Sequence, residues 1–307
     1  MTSISILICT HNHAEALAAT LASIAQTVIP ANQTAELIVV ANACSDDTAR
    51  VIEQSQVKNM PMHFIKEPKK GKGYAYAAGL AAASGGIVIF TDDDVRVPKE
   101  WLAGMSAPIL AGTTHAVAGA VQMAPHLRRP WMQSMHRAMQ AETALLDPLN
   151  PEYLVGANMA VSRPALDAIG GFDLELGPGG LGYGDDYLLG LQLKKHGFKL
   201  LTRFDVIVEH HFDATRLERR SWLAVAEKQG RTNAYLAHHW EHRSIAYCRL
   251  QAAMRILRLL LWRILHPHRI AIAEGCDPRE LVYLRSAAFY RHYLRERTRS
   301  PNYPVKS

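Results

Sequence analysis

The stretch "GGIVIFTDDDVRVP", residues 85–98, decides how the chain is read. Four apolar residues, Ile87 to Phe90, run without a break into Thr91 and three consecutive aspartates, Asp92, Asp93 and Asp94. A short continuous apolar run fits a strand covered on both faces. Three adjacent carboxylates at its end repel one another unless a cation sits among them. Hard Mg²⁺ or Mn²⁺ takes carboxylate oxygen and shares it with substrate phosphates. In an extended segment Asp92 and Asp94 point to one side and Asp93 to the other. Asp92 and Asp94 are therefore the pair expected to share a metal. The plainer reading is a solvated loop in which one aspartate caps a turn.

The segments before this stretch alternate in type. "SISILIC" (3–9) is β-branched and reads as a strand. "NHAEALAATLASIAQ" (12–26) spaces Leu17, Leu21 and Ile24 as a helix does. "AELIVVAN" (35–42) is a second buried strand, and "SDDTARVIEQSQ" a helix that Ser45 or Asp46 can cap. "MHFIKE" is a third strand and "GYAYAAGLAAAS" a helix of small residues. The alternation predicts an α/β fold with a doubly wound, mostly parallel sheet. Ligands of such sheets sit at the carboxyl ends of the strands. "THNH", "NACSDD" and "TDDD" each follow a predicted strand, so these polar clusters should converge on one edge.

A second constellation lies in "GGFDLELGPGGLGYGDDYLLGLQLKKHGFKL" (170–200). Seven glycines between Gly170 and Gly184 precede Asp185 and Asp186 and then a leucine-bearing helix. Acids at a helix N-terminus are favoured electrostatically, which is the plainer account. A carboxylate under a pliable loop is also a good general base. "VIVEHH" (206–211) then runs into His210 and His211, either of which can add an imidazole to a metal.

The 307 residues are 49% apolar and 20% charged, enough for a large core. "MTSISILICTHN" reads as a first strand rather than a signal peptide. Cys9, Cys44, Cys248 and Cys276 show no metal-type spacing, so reduced thiols and a cytoplasmic setting are expected. Charge is uneven: residues 1–212 hold 16 Lys/Arg against 20 Asp/Glu, and residues 213–307 hold 18 against 8. A basic tail points to an anionic membrane or to nucleic acid. No groove-reading motif supports nucleic acid, which is set aside. "AYCRLQAAMRILRLLLWRIL" (246–265) carries four arginines, each costing about 2.5–3.5 kcal/mol at a bilayer centre, so it should not span a membrane. It either lies peripherally on the inner face of the cell membrane or packs on the core, or on a second copy in a homo-oligomer, with snorkelling arginines.

Six segments, in order, resemble the family 2 glycosyltransferases of GT-A fold: "ILICTHNHAEAL", "LIVVANACSDDTARV", "KKGKGYAYAAGLAAASGGIVIFTDDDVRVPKEWL", "GANMAVSRPALDAIGGFDLELGPG", "GDDYLLGLQLKKHGF" and "VIVEHH". The resemblance covers about residues 3–212. It implies a catalytic domain over 1–212, with 213–307 as a basic, mostly helical extension. It also implies a metal-dependent, inverting transfer from a nucleotide-sugar to an acceptor hydroxyl. "TDDD" then matches the DxD signature, with Asp92 near the donor ribose and Asp94 holding Mn²⁺ or Mg²⁺. Asp186 matches the catalytic base, Asp185 its supporting acid, and His210 the histidine that closes the metal or diphosphate site. Thr10, Asn12, Asn42, Asp46 and Asp93 would line the nucleotide pocket, and Lys72 would approach base or phosphate. Ala41 stands where the family usually has an aspartate that contacts the base. UDP-sugars are favoured, with GDP-, dTDP- and CDP-sugars left open. A lipid-linked acceptor or surface-polysaccharide precursor fits a membrane-facing tail.

Several other readings compete. Asp92, Asp94 and Val95 also satisfy the D-x-D-x-[TV] signature of haloacid-dehalogenase-type phosphatases, although that motif normally ends a domain's first strand. A non-catalytic sugar- or membrane-binding module on the same scaffold is a third reading. "HHWEH" (238–242) places His238 and His242 one helical turn apart, a spacing that can bind zinc. "GKG" (71–73) lacks the full phosphate-loop pattern.

Overall fold

The computed structural model describes residues 3–143 and 154–304. Two compact units are present. The first comprises Met1–Arg129, Arg137–Gly179 and Asp185–Phe212; the second comprises Pro130–His136, Gly180–Gly184 and Asp213–Ser307.

The first unit is built on an eight-stranded sheet. Its strands are β1 (Ser3–Thr10), β2 (Thr34–Asn42), β3 (Met62–Glu67), β4 (Ile87–Thr91), β5 (Val95–Arg96), β6 (Ala116–Met123), β7 (Met159–Ser162) and β8 (Leu200–His210). They run in the order β3-β2-β1-β4-β7-β6-β8-β5. The β3-β2-β1-β4 half is parallel throughout. The other half is mixed: β7 is antiparallel to β4 and β6, and β5 to β8, while β6 and β8 are parallel.

Strand side chains alternate between two apolar layers, as pleating requires. Ile4, Ile6, Ile8, Leu37, Val39, Ile87 and Ile89 join the layer that takes Leu17, Leu21 and Ile24 of α1 (Ala14–Ile24), together with Trp101 and Met105 of α4 (Trp101–Leu110). Leu7, Ile38, Val40, Val88 and Phe90 join the opposite layer with α3 (Lys72–Ala82), α6 (Arg163–Ile169) and α7 (Asp185–Lys195). Each such fully buried side chain contributes about 1.5–3 kcal/mol. The small residues of α3 have a steric reason. A Cβ on Gly79 would lie 2.2 Å from Leu7 Cδ1, so only glycine lets the helix approach β1 this closely. Asp46, not Ser45, serves the first turn of α2 (Thr48–Gln54): its Oδ1 accepts from the Thr48 N–H at 3.2 Å.

One irregularity sets where β8 delivers its end. The β6–β8 register shifts between Gly119 and Ala120, whose partners jump from Arg203 to Ile207. The fully buried Asn158 fills the bulge. Its amide donates to Ala120 O (2.8 Å) and Val206 O (2.9 Å), and its oxygen accepts from Trp101 Nε1 at 2.9 Å. Beyond the shift, Met123 pairs with His210.

The second unit is helical, with α8 (Arg219–His239), α9 (Cys248–Leu265), α10 (Pro267–Ile270) and α11 (Pro278–Glu296). Gly230 of α8 lets α11 approach closely, since a Cβ there would sit 2.4 Å from Arg285 O. Buried Glu280 accepts from Arg219 at 2.7 Å and from Arg263 at 2.8 Å, tying α8, α9 and α11 together. Buried Glu296 similarly meets His239 (2.8 Å) and His292 (2.9 Å). The glycine loop joins this unit: Thr232 Oγ1 donates to Tyr183 O at 3.2 Å. The helical spacing of His238 and His242 that could bind zinc does not materialise. The helix ends at His239, and His242 has φ of 53°, so the two histidines do not share a helix face. All four cysteines are unpaired.

Candidate active site

β2, β1 and β4 are neighbours and parallel, so their carboxyl ends bring "NACSDD", "THNH" and "TDDD" to one edge. Asn12, with φ of 55°, turns the chain after β1, and its Oδ1 accepts from Ser45 N at 2.7 Å. Asp46 Oδ2 accepts from Ala14 N at the start of α1. The Asn42 amide accepts from Gly71 N (2.8 Å) and donates to Lys69 O (2.7 Å), fixing the loop that leads to Lys72. Thr10 is buried at the end of β1, beside Asp93.

The three aspartates do not continue β4. Residues 93 and 94 form a turn between β4 and β5, held by Thr20 Oγ1, which donates to Asp93 O and Val95 O. The alternation expected of an extended segment therefore does not apply, and each carboxylate has a different neighbour. Asp92 Oδ1 pairs with Lys72 Nζ at 2.6 Å. Asp93 Oδ1 lies 3.2 Å from His13 Nδ1, and Asp94 Oδ1 lies 3.2 Å from His210 Nε2.

Two observations test whether a divalent cation fits. His13, Asp93 and Asp94 each offer a ligand atom, and these atoms lie within 4.8 Å of one another. His210 Nδ1 lies 3.1 Å from Gln140 O, so a proton held there leaves the Nε2 lone pair facing the Asp94 carboxylate. Two facing acceptors need a second ring proton or a metal ion between them. Carboxylate and imidazole donors suit Mn²⁺, and the carboxylates suit Mg²⁺. The donor set fits a divalent ion.

On the other side of Lys72 lies the acid pair of α7. Asp186 Oδ2 accepts from Gly156 N at 3.0 Å, and its Oδ1 from Tyr187 N at 2.8 Å. A Cβ on Gly156 would lie 3.3 Å from Tyr76 Oη, 3.4 Å from Lys72 Nζ and 3.8 Å from Asp186 Oδ2, so these three groups surround one point. Asp185 is buried beneath Gly177, where a Cβ would lie 3.0 Å from its carboxyl carbon.

The electrostatics follow from this crowding. Burial, reinforced by the charge on Asp185, pushes Asp186 up to about 7, although the Gly156 N–H and Lys72 pull the other way. Burial also raises Asp185, against the opposing pull of Lys72. Burial disfavours the Lys72 ammonium, but Asp92, Tyr76 and Asp185 outweigh it and hold its pKa well above the usual value. Burial raises Asp93, His13 opposes the rise, and Asp94 adds to it. A carboxyl that titrates near neutral pH is poised for proton transfer.

Three contributors escaped the sequence reading. His13 sits in "THNH" yet nothing in its spacing marks it as the partner of Asp93. Tyr76 stacks on Phe172 with ring centroids 4.2 Å apart, and its hydroxyl makes no hydrogen bond among the described residues. Gly156 serves through its N–H, which no side-chain pattern reveals.

The family model described as "Glycosyl transferase family 2" matches residues 5–170. No curated protein matches the chain. Among solved structures, mannosyltransferase PcManGT from Pyrobaculum calidifontis, in complex with GDP-Man and Mn²⁺, aligns with a TM-score of 0.59 at 18% identity, over 93% of this chain and 85% of that one. TarS from S. aureus in complex with UDP-GlcNAc gives a TM-score of 0.54 at 16% identity, over 94% and 91%. GalNAc-T7 with UDP, GalNAc and Mn²⁺ gives 0.56 at 15%, over 90% and 55%. At these identities the shared property is the GT-A fold. With more than half its length matched by the family model, the chain belongs to glycosyl transferase family 2.

Proposed function

We propose that the protein transfers a sugar from a nucleotide-sugar donor to an acceptor hydroxyl, with inversion at the anomeric carbon. The observation that carries this reading is the Asp186 carboxyl, raised to about 7 and grouped with Lys72, Tyr76 and the Gly156 N–H. Asp186 takes the proton of the attacking hydroxyl as the new C–O bond forms and the bond to the diphosphate breaks. Asp185 supports it by keeping its pKa high. Lys72 balances the acids at this edge, and Asp92 meets the donor beside it. Thr10, Asn12, Asn42, Asp46 and Asp93 shape the loops around the nucleotide. Asp94 and His210 hold Mn²⁺ or Mg²⁺, with Asp92 or the His13–Asp93 pair completing the set. When bound, the ion acts as a Lewis acid that neutralises charge on the departing diphosphate.

In this reading residues 1–212 form the catalytic domain and 213–307 the basic extension. Segment 246–265 makes peripheral contact with a membrane on the cytoplasmic side, where a lipid-linked or polysaccharide-precursor acceptor would be met. Among the described residues no helix is long and apolar enough to cross a membrane. A UDP-sugar is the favoured donor, and the base is the open choice because Ala41 cannot offer a carboxylate.

The test is a donor screen. The protein is incubated with Mn²⁺ or Mg²⁺ and UDP-, GDP-, dTDP- and CDP-sugars, and thermal stabilisation and nucleotide release are measured, with Asp94→Asn as control. One responding donor, lost in the variant, is expected. Silence across the panel overturns the reading.

A further inference from the structure

The described residues expose large hydrophobic side chains unevenly. Nine of the fifteen that stand out lie between Tyr247 and Leu265, on or beside α9. Successive residues of a helix are turned by about 100°, so Leu250, Met254, Leu257, Leu261, Ile264 and Leu265 fall in one stripe. These six side chains are 49–72% exposed. The opposite face of the same helix is buried: Cys248, Ala252, Leu259 and Trp262 face the other way. An ordinary surface helix shows polar residues to solvent. Here the outward face is apolar.

The charges sit at the margins of that face. Arg249 borders the stripe on one side and Arg258 on the other, and α9 contains no acidic residue. Arg258 lies over the Tyr283 ring, 4.5 Å from its centroid, which holds the guanidinium at the edge of a shallow apolar groove lined by Leu257, Leu261, Trp262 and Leu265. Arg263 is committed inward, to buried Glu280. Contiguous exposed apolar surface marks an interaction site. A second copy docking through this stripe would bring its own marginal arginines, and α9 supplies no acid to meet them. An anionic bilayer satisfies both features: leucines enter the acyl boundary while marginal arginines meet headgroup phosphates.

We infer that the outward face of α9 is a docking surface for a bilayer rich in anionic phospholipid, with Leu250, Leu257, Leu261 and Ile264 inserting and Arg249 and Arg258 at headgroup level. The inference deepens the membrane contact proposed above and rests on it, whereas donor binding is read separately.

The experiment is co-sedimentation of the full chain with vesicles of phosphatidylcholine alone, or mixed with phosphatidylglycerol, at low and high salt. Binding to the mixed vesicles, weakened by salt and much weaker on neutral ones, is expected. Each arginine removed, in Arg249→Gln and Arg258→Gln, should cost roughly fivefold in vesicle affinity. Leu257→Ser with Leu261→Ser should cost at least about tenfold. These residues are already exposed, so thermal unfolding and donor-induced stabilisation should stay as in the parent chain. Absent or charge-independent vesicle binding overturns the inference, as does a dimer that the leucine variant dissociates. A chain that binds vesicles but no donor leaves the docking surface standing and defeats the transferase reading.

Discussion

Lys72 Nζ lies 2.6 Å from Asp92 Oδ1, with both side chains largely shielded from solvent. This ion pair joins the end of β4 to the start of α3, and the same ammonium offsets the buried charge of Asp185. Removing one partner of a shielded pair leaves the other uncompensated, at about 3 kcal/mol or more when burial is complete. Lys72→Met should therefore destabilise the protein by about 2–3 kcal/mol. Adding Asp92→Asn should recover part of the loss. Denaturant unfolding of the two single variants and the double variant checks this; strictly additive losses would show that the pair does not act as one.

The metal set is tested by comparing three variants. Asp94→Asn should remove the Mn²⁺ dependence of nucleotide binding, since Asp94 neighbours both His210 and the His13–Asp93 pair. His210→Ala should weaken Mn²⁺-dependent binding by about 10–100-fold, the range seen when a metal's supporting groups are lost. His13→Ala should have the smaller effect, because His13 contacts Asp93. Titration calorimetry with nucleotide and Mn²⁺ gives the ranking. The reverse order would assign the ion to His13, Asp93 and Asp94.

Much of this edge was legible because it depends on continuous sequence signals. β1 is rich in β-branched residues, β2 and β4 carry continuous apolar runs at Leu37–Ala41 and Ile87–Phe90, and in each case the polar cluster follows at once. The mixed half of the sheet was legible only at "VIVEHH", the end of β8. β6 reads "AVAGAVQM", β7 has four residues and β5 two, so none carries a period that separates strand from helix. The turn at Asp93 and Asp94 is fixed by Thr20, more than seventy residues away in sequence. The reversed polarity of α9 was half visible, since its arginines and leucines were evident but the buried face depends on its neighbours.

Asn158 provides a prediction about the fold. It is fully buried and makes three hydrogen bonds across the β6–β8 bulge and to Trp101. Asn158→Leu would leave the Trp101 N–H and two carbonyls unsatisfied, each at about 1–3 kcal/mol. A loss of at least about 3 kcal/mol in unfolding free energy is expected. Because the bulge sets the position of His210, the surviving folded fraction should also bind Mn²⁺ less tightly. Full stability in Asn158→Leu would mean that the bulge is held by the strands alone.

In the proposed reading, Asp186 couples stability and activity through one proton. Its folded value of about 7 lies above the 3.8 of an unperturbed aspartate. Below about pH 4 both folded and unfolded chains are protonated there, so the group does not disfavour folding. Between that point and about pH 7 only the unfolded chain releases the proton, and folding loses up to ~1.4 kcal/mol per pH unit. Above about 7 the loss is complete and constant. Asp186→Asn removes the effect, so its advantage in melting temperature over the parent should be near zero at about pH 4 and full at about pH 8. Transfer should behave in the opposite sense, because the proposed base works only when ionised. The parent's kcat/KM should fall on the acid side with a midpoint near 7, shifted lower if bound cation stabilises the carboxylate. Asp186→Asn should keep donor binding while transfer drops about 10²–10⁴-fold and loses this limb. A variant that keeps the acid limb, or whose melting advantage does not grow with pH, would place the titrating group elsewhere in the site.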